Sequence, residues 1–124
     1  MKGNGARWQY SGPYAANRLG LSEQVPAKII VLTDGTPRRV ALGKLTLIFR
    51  HVAPRSLLGS GRPAGLVIQA LRHLKKIGLI STAVARLRQR LDAATKTDLT
   101  ALAPSLPVWM QPIIGDIARP IAAS

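Results

Sequence analysis

Residues 27–52 read AKIIVLTDGTPRRVALGKLTLIFRHV, and this stretch decides the fold. Ala27–Thr33 contains an unbroken apolar, β-branched run, which is typical of a strand that is covered on both faces near the centre of a sheet. Arg38–Leu42 and Leu45–Val52 alternate between apolar and polar residues, as strands with one buried face do. The stretch therefore predicts three strands.

Two turn signals separate these strands. Asp34–Gly35 followed by Pro37 predicts the first turn, and Gly43–Lys44 predicts the second. Consecutive strands that are joined by such short turns usually pair with each other in antiparallel fashion. The sequence therefore predicts a three-stranded antiparallel meander.

Proline and glycine mark helices on both sides of the strands. Pro13 and Gly20 bracket a short N-terminal helix, and Pro63 and Gly78 bracket the most amphipathic segment of the chain. Further helices are predicted to begin at an N-cap Ser81, at a capping box from Thr95 to Asp98, and after Pro107. The order predicts an α+β fold: a short helix, the meander, and about four helices packed on the sheet.

The length of 124 residues suits a single domain. We expect residues 1–10 to form a flexible leader or a short strand, residues 11–119 to form one α+β domain, and residues 120–124 to fray. No apolar segment follows the first basic residues, and the uncharged stretch 99–115 contains three prolines. With no cysteine in the chain, these features predict a cytoplasmic protein without a membrane segment.

Positive charge is the strongest compositional signal. The chain has 18 Lys and Arg against 5 Asp and Glu, a net charge of +13. No acidic residue lies between Asp34 and Asp92, although this segment contains twelve cations. Such a surplus favours a negatively charged partner, either nucleic acid or an acidic protein. The predicted basic face consists of Arg38, Arg39, Arg50, Arg55, Arg62, Arg72, Lys75, Lys76, Arg86 and Arg90.

Residues that could carry out chemistry are sparse. His51 and His73 are the only histidines, and the five carboxylates each fall at a turn, a cap or a helix end. The sequence therefore predicts no enzyme, no catalytic residue, no cofactor and no metal site. Gly59–Pro63 precedes a helix as anion-binding loops do, but it lacks a nucleotide-binding pattern and is more typical of a flexible connection.

Aromatic residues cluster near the N-terminus. Trp8, Tyr10 and Tyr14 lie within seven residues of one another. Such a cluster most often seals the edge of a small core, and its alternative role is to stack on nucleic-acid bases.

Three segments resemble a known family. They are SGPYAANRLGLSEQVPA at residues 11–27, VLTDG at 31–35 and GLVIQALR at 65–72. Their order and spacing are similar to those of the AbiEi-type antitoxins of abortive-infection, type IV toxin–antitoxin systems, over about residues 7–118. In that family an N-terminal winged helix-turn-helix binds operator DNA, and a C-terminal domain required for antitoxin activity follows it.

The chain resembles the C-terminal domain alone, because the ten residues before Ser11 cannot hold a winged helix. Operator binding through that helix is therefore not carried over. The resemblance implies an antitoxin or transcriptional-regulator domain that neutralises a cognate AbiEii-like nucleotidyltransferase toxin, by direct contact or indirectly. It implies no catalytic residue. The alternative is a stand-alone basic nucleic-acid-binding protein that has no toxin partner.

Overall fold

Five helices and a four-stranded mixed sheet form an α+β fold over residues 7–23 and 27–119, which a computed structural model describes. The class is the predicted one. The strands are β1 (Trp8–Tyr10), β2 (Lys28–Thr33), β3 (Arg38–Leu42) and β4 (Leu45–His51), and the helices are α1 (Gly12–Arg18), α2 (Pro63–Lys76), α3 (Ile80–Arg90), α4 (Ala93–Leu102) and α5 (Gln111–Ala118). The predicted frayed tail at 120–124 and the first six residues of the predicted leader lie outside the described residues.

The chain divides into two compact units between His73 and Leu74. The first, which we call the sheet unit, contains the four strands, α1 and most of α2. The second, which we call the helical unit, contains α3, α4 and α5. That residues 11–119 form one domain therefore stays a prediction.

The order of the strands in the sheet is β1-β2-β4-β3. β2 and β4 pair in parallel, whereas β1 with β2 and β3 with β4 pair antiparallel. The predicted meander is therefore wrong, because β2 and β3 do not pair and β4 lies between them. Only the tight turn from β3 to β4 forms as expected, with Gly43 at a φ of +62°, the sign that a type II′ turn requires at its first central residue.

Burial explains this strand order. β3 begins with two arginines and is exposed along most of its length, so it suits an edge, whereas β4 is more apolar and suits the interior. Strands lie about 4.8 Å apart, so the four residues 34–37 can cross one intervening strand. The segment 34–37 contacts β4, because His51 Nδ1 lies 3.0 Å from the carbonyl oxygen of Gly35. The Val52 amide also donates to the carbonyl oxygen of Thr33.

The strand registers define two faces of the sheet. Ile29, Val31 and Phe49 form a buried cluster on one face. The alternation of side chains places Trp8, Tyr10 and Arg38 on this same face, and we call it the aromatic face. The opposite face carries Gln9, Ile30, Ile48 and their neighbours in the register, and we call it the helix-side face. Gly65 in α2 approaches the side chain of Gln9 on that face.

Helix boundaries follow the glycine signals more closely than the predicted caps. Gly20 and Gly78 end α1 and α2 with φ angles of +72° and +75°. After α2 the Gly78 and Leu79 amides donate to the carbonyls of Lys75 and Leu74, a Schellman motif. Because this motif occupies residues 78 and 79, α3 begins at Ile80 with Leu79 at its N-cap position, and the predicted cap Ser81 is wrong.

The predicted capping box of α4 is also displaced. The N-cap is Asp92, whose side chain accepts a hydrogen bond from the Thr95 amide at 2.8 Å, so Thr95 lies inside the first turn. The carboxylate of an aspartate is a good N-cap because it accepts a hydrogen bond from the amide three residues later. Asp92 therefore takes the N-cap position that was predicted for Thr95. Within the helical unit, α5 contacts both α3 and α4, and it buries Ile114 and Ile117.

Among the described residues, no helix combines the length and the apolar character that crossing a membrane requires.

Candidate functional site

An apolar groove lies on the aromatic face of the sheet. Trp8 and Tyr10 of β1 and Tyr14 of α1 form its aromatic wall, and aliphatic side chains of β2, β3 and β4 line the rest, including Leu42. Its volume is about 270 Å³. The three aromatic side chains are half-buried, and Leu42 at the rim is 54% exposed. We call this feature the aromatic groove.

The aromatic wall has a defined geometry. The rings of Trp8 and Tyr10 meet edge to face with centroids 5.2 Å apart, and those of Tyr10 and Tyr14 do the same at 4.7 Å. Edge-to-face contacts of this kind are favourable because the positive ring edge meets the negative face of its neighbour. The three rings therefore support one another while part of each side chain stays exposed.

Two arginines lie over aromatic rings of this face. The Cζ atom of Arg18 lies 5.6 Å from the ring centroid of Tyr10 and 6.0 Å from that of Tyr14. The Cζ atom of Arg38 lies 5.0 Å from the ring centroid of Phe49. Both arginines are exposed residues. A cation over an aromatic face is attracted by the ring quadrupole, so these contacts hold positive charge at the groove.

The strand that carries Trp8 and Tyr10 is anchored at its start. The Arg7 amide donates to Asp34 Oδ1 at 2.8 Å, and Arg7 Nε donates to Asp34 Oδ2 at 3.0 Å. The Thr33 hydroxyl donates to the carbonyl oxygen of Arg7. The Arg7 backbone N–H and then its guanidinium lower the pKa of the Asp34 carboxyl below its ordinary value. These contacts fix β1 beside β2.

The predicted basic residues of the sheet occupy both of its faces. Arg39 pairs with Ile48 and Arg38 pairs with Phe49 in the register. Arg50 follows Ile48 by two residues on β4, so it shares the helix-side face with Arg39 as a diagonal neighbour. Arg38 points to the aromatic face instead, because successive side chains on a strand alternate. The predicted residues therefore do not form one face of the sheet.

The other predicted cations lie outside the strands. Arg55 belongs to a 3₁₀ turn at Pro54–Leu57, Arg62 directly precedes α2, and Arg72 is a half-buried residue of α2. Four belong to the helical unit, where all are exposed: Lys75 and Lys76 at the end of α2, and Arg86 and Arg90 one turn apart on α3. Lys75 Nζ lies 4.2 Å from the ring centroid of Trp109.

The weaker sequence signals occupy ordinary positions. His51 is exposed on β4 and His73 is half-buried on α2. In the loop before α2, the Arg62 amide donates to the Gly59 carbonyl, and the Gly65 amide donates to the Arg62 carbonyl. Two amides near the start of α2 are thus already engaged. Within residues 7–23 and 27–119, no three acidic or histidine side chains are grouped in a way that could hold a metal ion.

Arg18 and Leu42 lie at the groove but were not among the predicted site residues. Arg18 follows Tyr14 by four residues, the spacing that stacks side chains on one face of a helix, and this was the available signal. Leu42 lines the groove because β3 is the edge strand beside β4. No local sequence pattern indicated that β4 lies between β2 and β3.

The fold and the groove define a small basic α+β protein with an arginine-flanked aromatic sheet face. The chain belongs to DUF6088, a family of unknown function, which it matches over residues 2–99. The match includes every strand, all the groove residues and all ten predicted cations. Neither the curated proteins nor the solved structures yielded a match.

Proposed function

We propose that this protein is a cytoplasmic regulatory domain of the antitoxin type, which binds nucleic acid through exposed arginines and neutralises a nucleotidyltransferase toxin of the AbiEii kind. The single observation that carries the binding part is the placement of cations in the sheet unit. Arg39 and Arg50 are exposed neighbours on β3 and β4, and no acidic residue occurs between Asp34 and Asp92. The toxin part is supported by the resemblance of residues 11–27, 31–35 and 65–72 to AbiEi-type antitoxins.

Phosphate is the anion that this surface suits best. A guanidinium presents planar N–H donors that can bind a phosphate in bidentate fashion. Two exposed arginines on neighbouring strands provide adjacent positions for such contacts, and the pairing of β3 with β4 fixes the separation of their backbone positions. An acidic protein surface would offer carboxylates to the same groups, and direct comparison of binding to oligonucleotides and to acidic proteins separates these partners.

The first test is the salt dependence of oligonucleotide binding. Binding to phosphates releases condensed counterions, so the logarithm of the association constant should fall linearly with the logarithm of salt concentration. If five or six phosphates are contacted, the slope on duplex DNA is roughly −4 to −6. Fluorescence anisotropy of a labelled oligonucleotide measures it. No binding to DNA or RNA at low salt, together with binding to an acidic protein, would contradict the nucleic-acid proposal.

The second test concerns the toxin. Co-expression with a nucleotidyltransferase encoded beside this reading frame should restore growth to cells that the enzyme arrests. A second candidate function, a stand-alone nucleic-acid-binding protein without a toxin, is favoured by the charge distribution alone. It predicts the same salt slope and no rescue. The two candidates therefore share the binding experiment and differ in the growth experiment.

A further inference from the structure

We propose that the aromatic groove binds unpaired bases of single-stranded nucleic acid, with the neighbouring phosphates held by Arg18 and Arg38. This inference rests on the proposed nucleic-acid binding and specifies the form of nucleic acid. Bases in a duplex are stacked on one another, so their faces are not available to a protein side chain. A groove that recognises base faces therefore selects single strands.

The lining of the groove suits a base. Its wall is formed by the partly exposed side chains of Trp8, Tyr10 and Tyr14, and its floor by aliphatic residues such as Val31 and Leu47. Stacking on aromatic side chains is the common way in which proteins hold single strands, because every base has a π face. Sheets that expose aromatic residues are one of the folds used for this purpose.

The size of the groove restricts its occupant. Pockets for drug-sized ligands measure about 300–1,000 Å³. At about 270 Å³ this groove lies just below that range, which favours a single flat ring system over a larger ligand. Leu42 at the rim is more than half exposed, so the groove opens to solvent beside β3. A polynucleotide backbone can pass this rim while one base enters.

The arginines supply charge complementarity at the groove. A guanidinium carries five N–H donors and can bind a phosphate in bidentate fashion. Arg18, whose Cζ atom lies 5.6 Å from the ring centroid of Tyr10 and 6.0 Å from that of Tyr14, places such donors beside the groove, and Arg38 over the Phe49 ring adds positive charge there. A second copy of the chain is a poor occupant, because both copies carry a net charge of +13.

The experiment uses Trp8 as the reporter. The chain has two tryptophans, so a full-length Trp109→Phe variant leaves Trp8 as the only one. We expect a deoxythymidine dodecamer to quench the Trp8 fluorescence, and a duplex of the same length at the same salt to leave it nearly unchanged. Tyr14→Leu in this background should weaken dodecamer binding about tenfold or more, whereas Tyr14→Phe, which keeps the ring, should bind as well as the parent.

A second variant tests the groove without removing a buried or aromatic side chain. Leu42→Glu places a carboxylate at an exposed position on the rim, so the fold should persist while the dodecamer is repelled. Far-UV circular dichroism and the midpoint of thermal unfolding check each variant.

The outcomes separate this inference from the proposed function. Equal affinity for duplex and single strand, without quenching of Trp8, overturns the base-binding groove and leaves the phosphate-binding arginines standing. Unchanged dodecamer affinity in folded Tyr14→Leu and Leu42→Glu variants overturns it as well. If no oligonucleotide binds at any salt concentration, both fail together. Quenching by an acidic peptide, with none by the dodecamer, also overturns both.

Discussion

The cations of the two units serve different contacts. In the helical unit Arg88 Nε donates to the Asp116 carbonyl oxygen at 2.8 Å, and Lys96 Nζ donates to the Arg88 carbonyl oxygen at 2.6 Å. Arg119 forms an ion pair with the Asp116 carboxylate. In the sheet unit Arg7 likewise pairs with the Asp34 carboxylate, whereas Arg18 and Arg38 lie over aromatic rings at the surface. Exposed cations beside an aromatic groove are therefore a feature of the sheet unit.

The distribution of acceptors explains this difference. Three of the five acidic residues, Asp92, Asp98 and Asp116, belong to the helical unit, whereas the sheet unit has only Glu23 and Asp34. A cation beside carboxylates and helix C-terminal carbonyls finds partners within its own unit. Net charge therefore does not locate a binding surface. The position of the acids relative to the cations is more informative, and it indicates the sheet unit.

Gly65 in the sheet unit and Gly115 in the helical unit differ in how closely they are enclosed, and this difference gives the largest expected effect. A Cβ added at Gly65 would lie 2.6 Å from the carbonyl carbon of Gly59 and 2.8 Å from Gln9 Nε2. The Gly59 backbone cannot swing aside, so Gly65→Ala should destabilise the protein by about 3 kcal/mol. Urea unfolding followed by circular dichroism measures this loss.

Gly115 in α5 is the matched control. Nothing lies within 4 Å of a Cβ added there, and an exposed helical glycine replaced by alanine gains about 1 kcal/mol. Gly115→Ala should therefore raise the urea midpoint. If both substitutions lowered stability equally, the close approach of α2 to the loop at Gly59 would not be a determinant of the fold.

The second prediction concerns binding. Reversing two charges in the sheet unit, Arg39→Glu with Arg50→Glu, should weaken oligonucleotide binding at least tenfold and reduce the salt slope by about two units. The control is Arg86→Glu with Arg90→Glu in α3, which changes the net charge equally. This control should have a much smaller effect, since it removes the same charge but none of the proposed phosphate contacts. Equal losses in both double variants would mean that total charge, and not the sheet surface, governs binding.

Local signals were sufficient for much of the fold. A proline in the first turn and a glycine after the last turn were enough to predict the bounds of α1 and α2 closely. These residues act through their own backbone angles. The pairing of β2 with β4 was not predictable in this way. A turn signal at Asp34–Gly35 shows where the chain changes direction, but not which strand lies beside the next one. The two arginines that open β3 were the remaining indication of an edge strand.

The candidate site was predicted in part for the same reason. Strand alternation predicts that Trp8 and Tyr10 share a face, since a period of two is a local property. Their meeting with Tyr14, and the closure of the groove by Leu42, depend on the strand order and on where α1 follows β1. The cation over Trp109 was not predictable either: this side chain is half-buried, and Lys75 Nζ lies 4.2 Å from its ring centroid. Its apolar helix gave no sign of that cation.

The third prediction is an acid sensitivity shared by both units. Asp34 has a lowered pKa because it accepts hydrogen bonds from the Arg7 backbone and side chain, and Asp92 because it accepts them from the Thr95 side chain and backbone. A carboxyl with a lowered folded-state pKa stabilises the fold at every pH above its unfolded pKa, near 3.9, and this contribution is lost as the pH falls through the folded value.

Thermal unfolding midpoints recorded between neutral pH and pH 2 check this prediction. They should be insensitive to these two groups above about pH 5 and should fall below about pH 4. Asp34→Asn and Asp92→Asn should each lower the midpoint at neutral pH and reduce the acid-induced fall. A variant that unfolds at the same midpoint as the parent at neutral pH would show that its carboxylate contributes nothing to stability.

The smallest expected effect comes from comparing a cation of the helical unit, Lys75, with a cation beside the aromatic groove, Arg18. Lys75→Ala removes the ammonium that lies 4.2 Å from the Trp109 ring centroid and should cost about 0.5–1 kcal/mol in urea unfolding, with oligonucleotide affinity nearly unchanged. Arg18→Ala removes the guanidinium over Tyr10 and Tyr14, and it should cost a similar amount of stability and also weaken binding of the deoxythymidine dodecamer severalfold. Lys76→Ala, at the exposed neighbour of Lys75, is the control for loss of one charge. If Lys75→Ala weakened the dodecamer as much as Arg18→Ala does, the helical cations would belong to the binding surface, and the division of roles between the two units would be wrong.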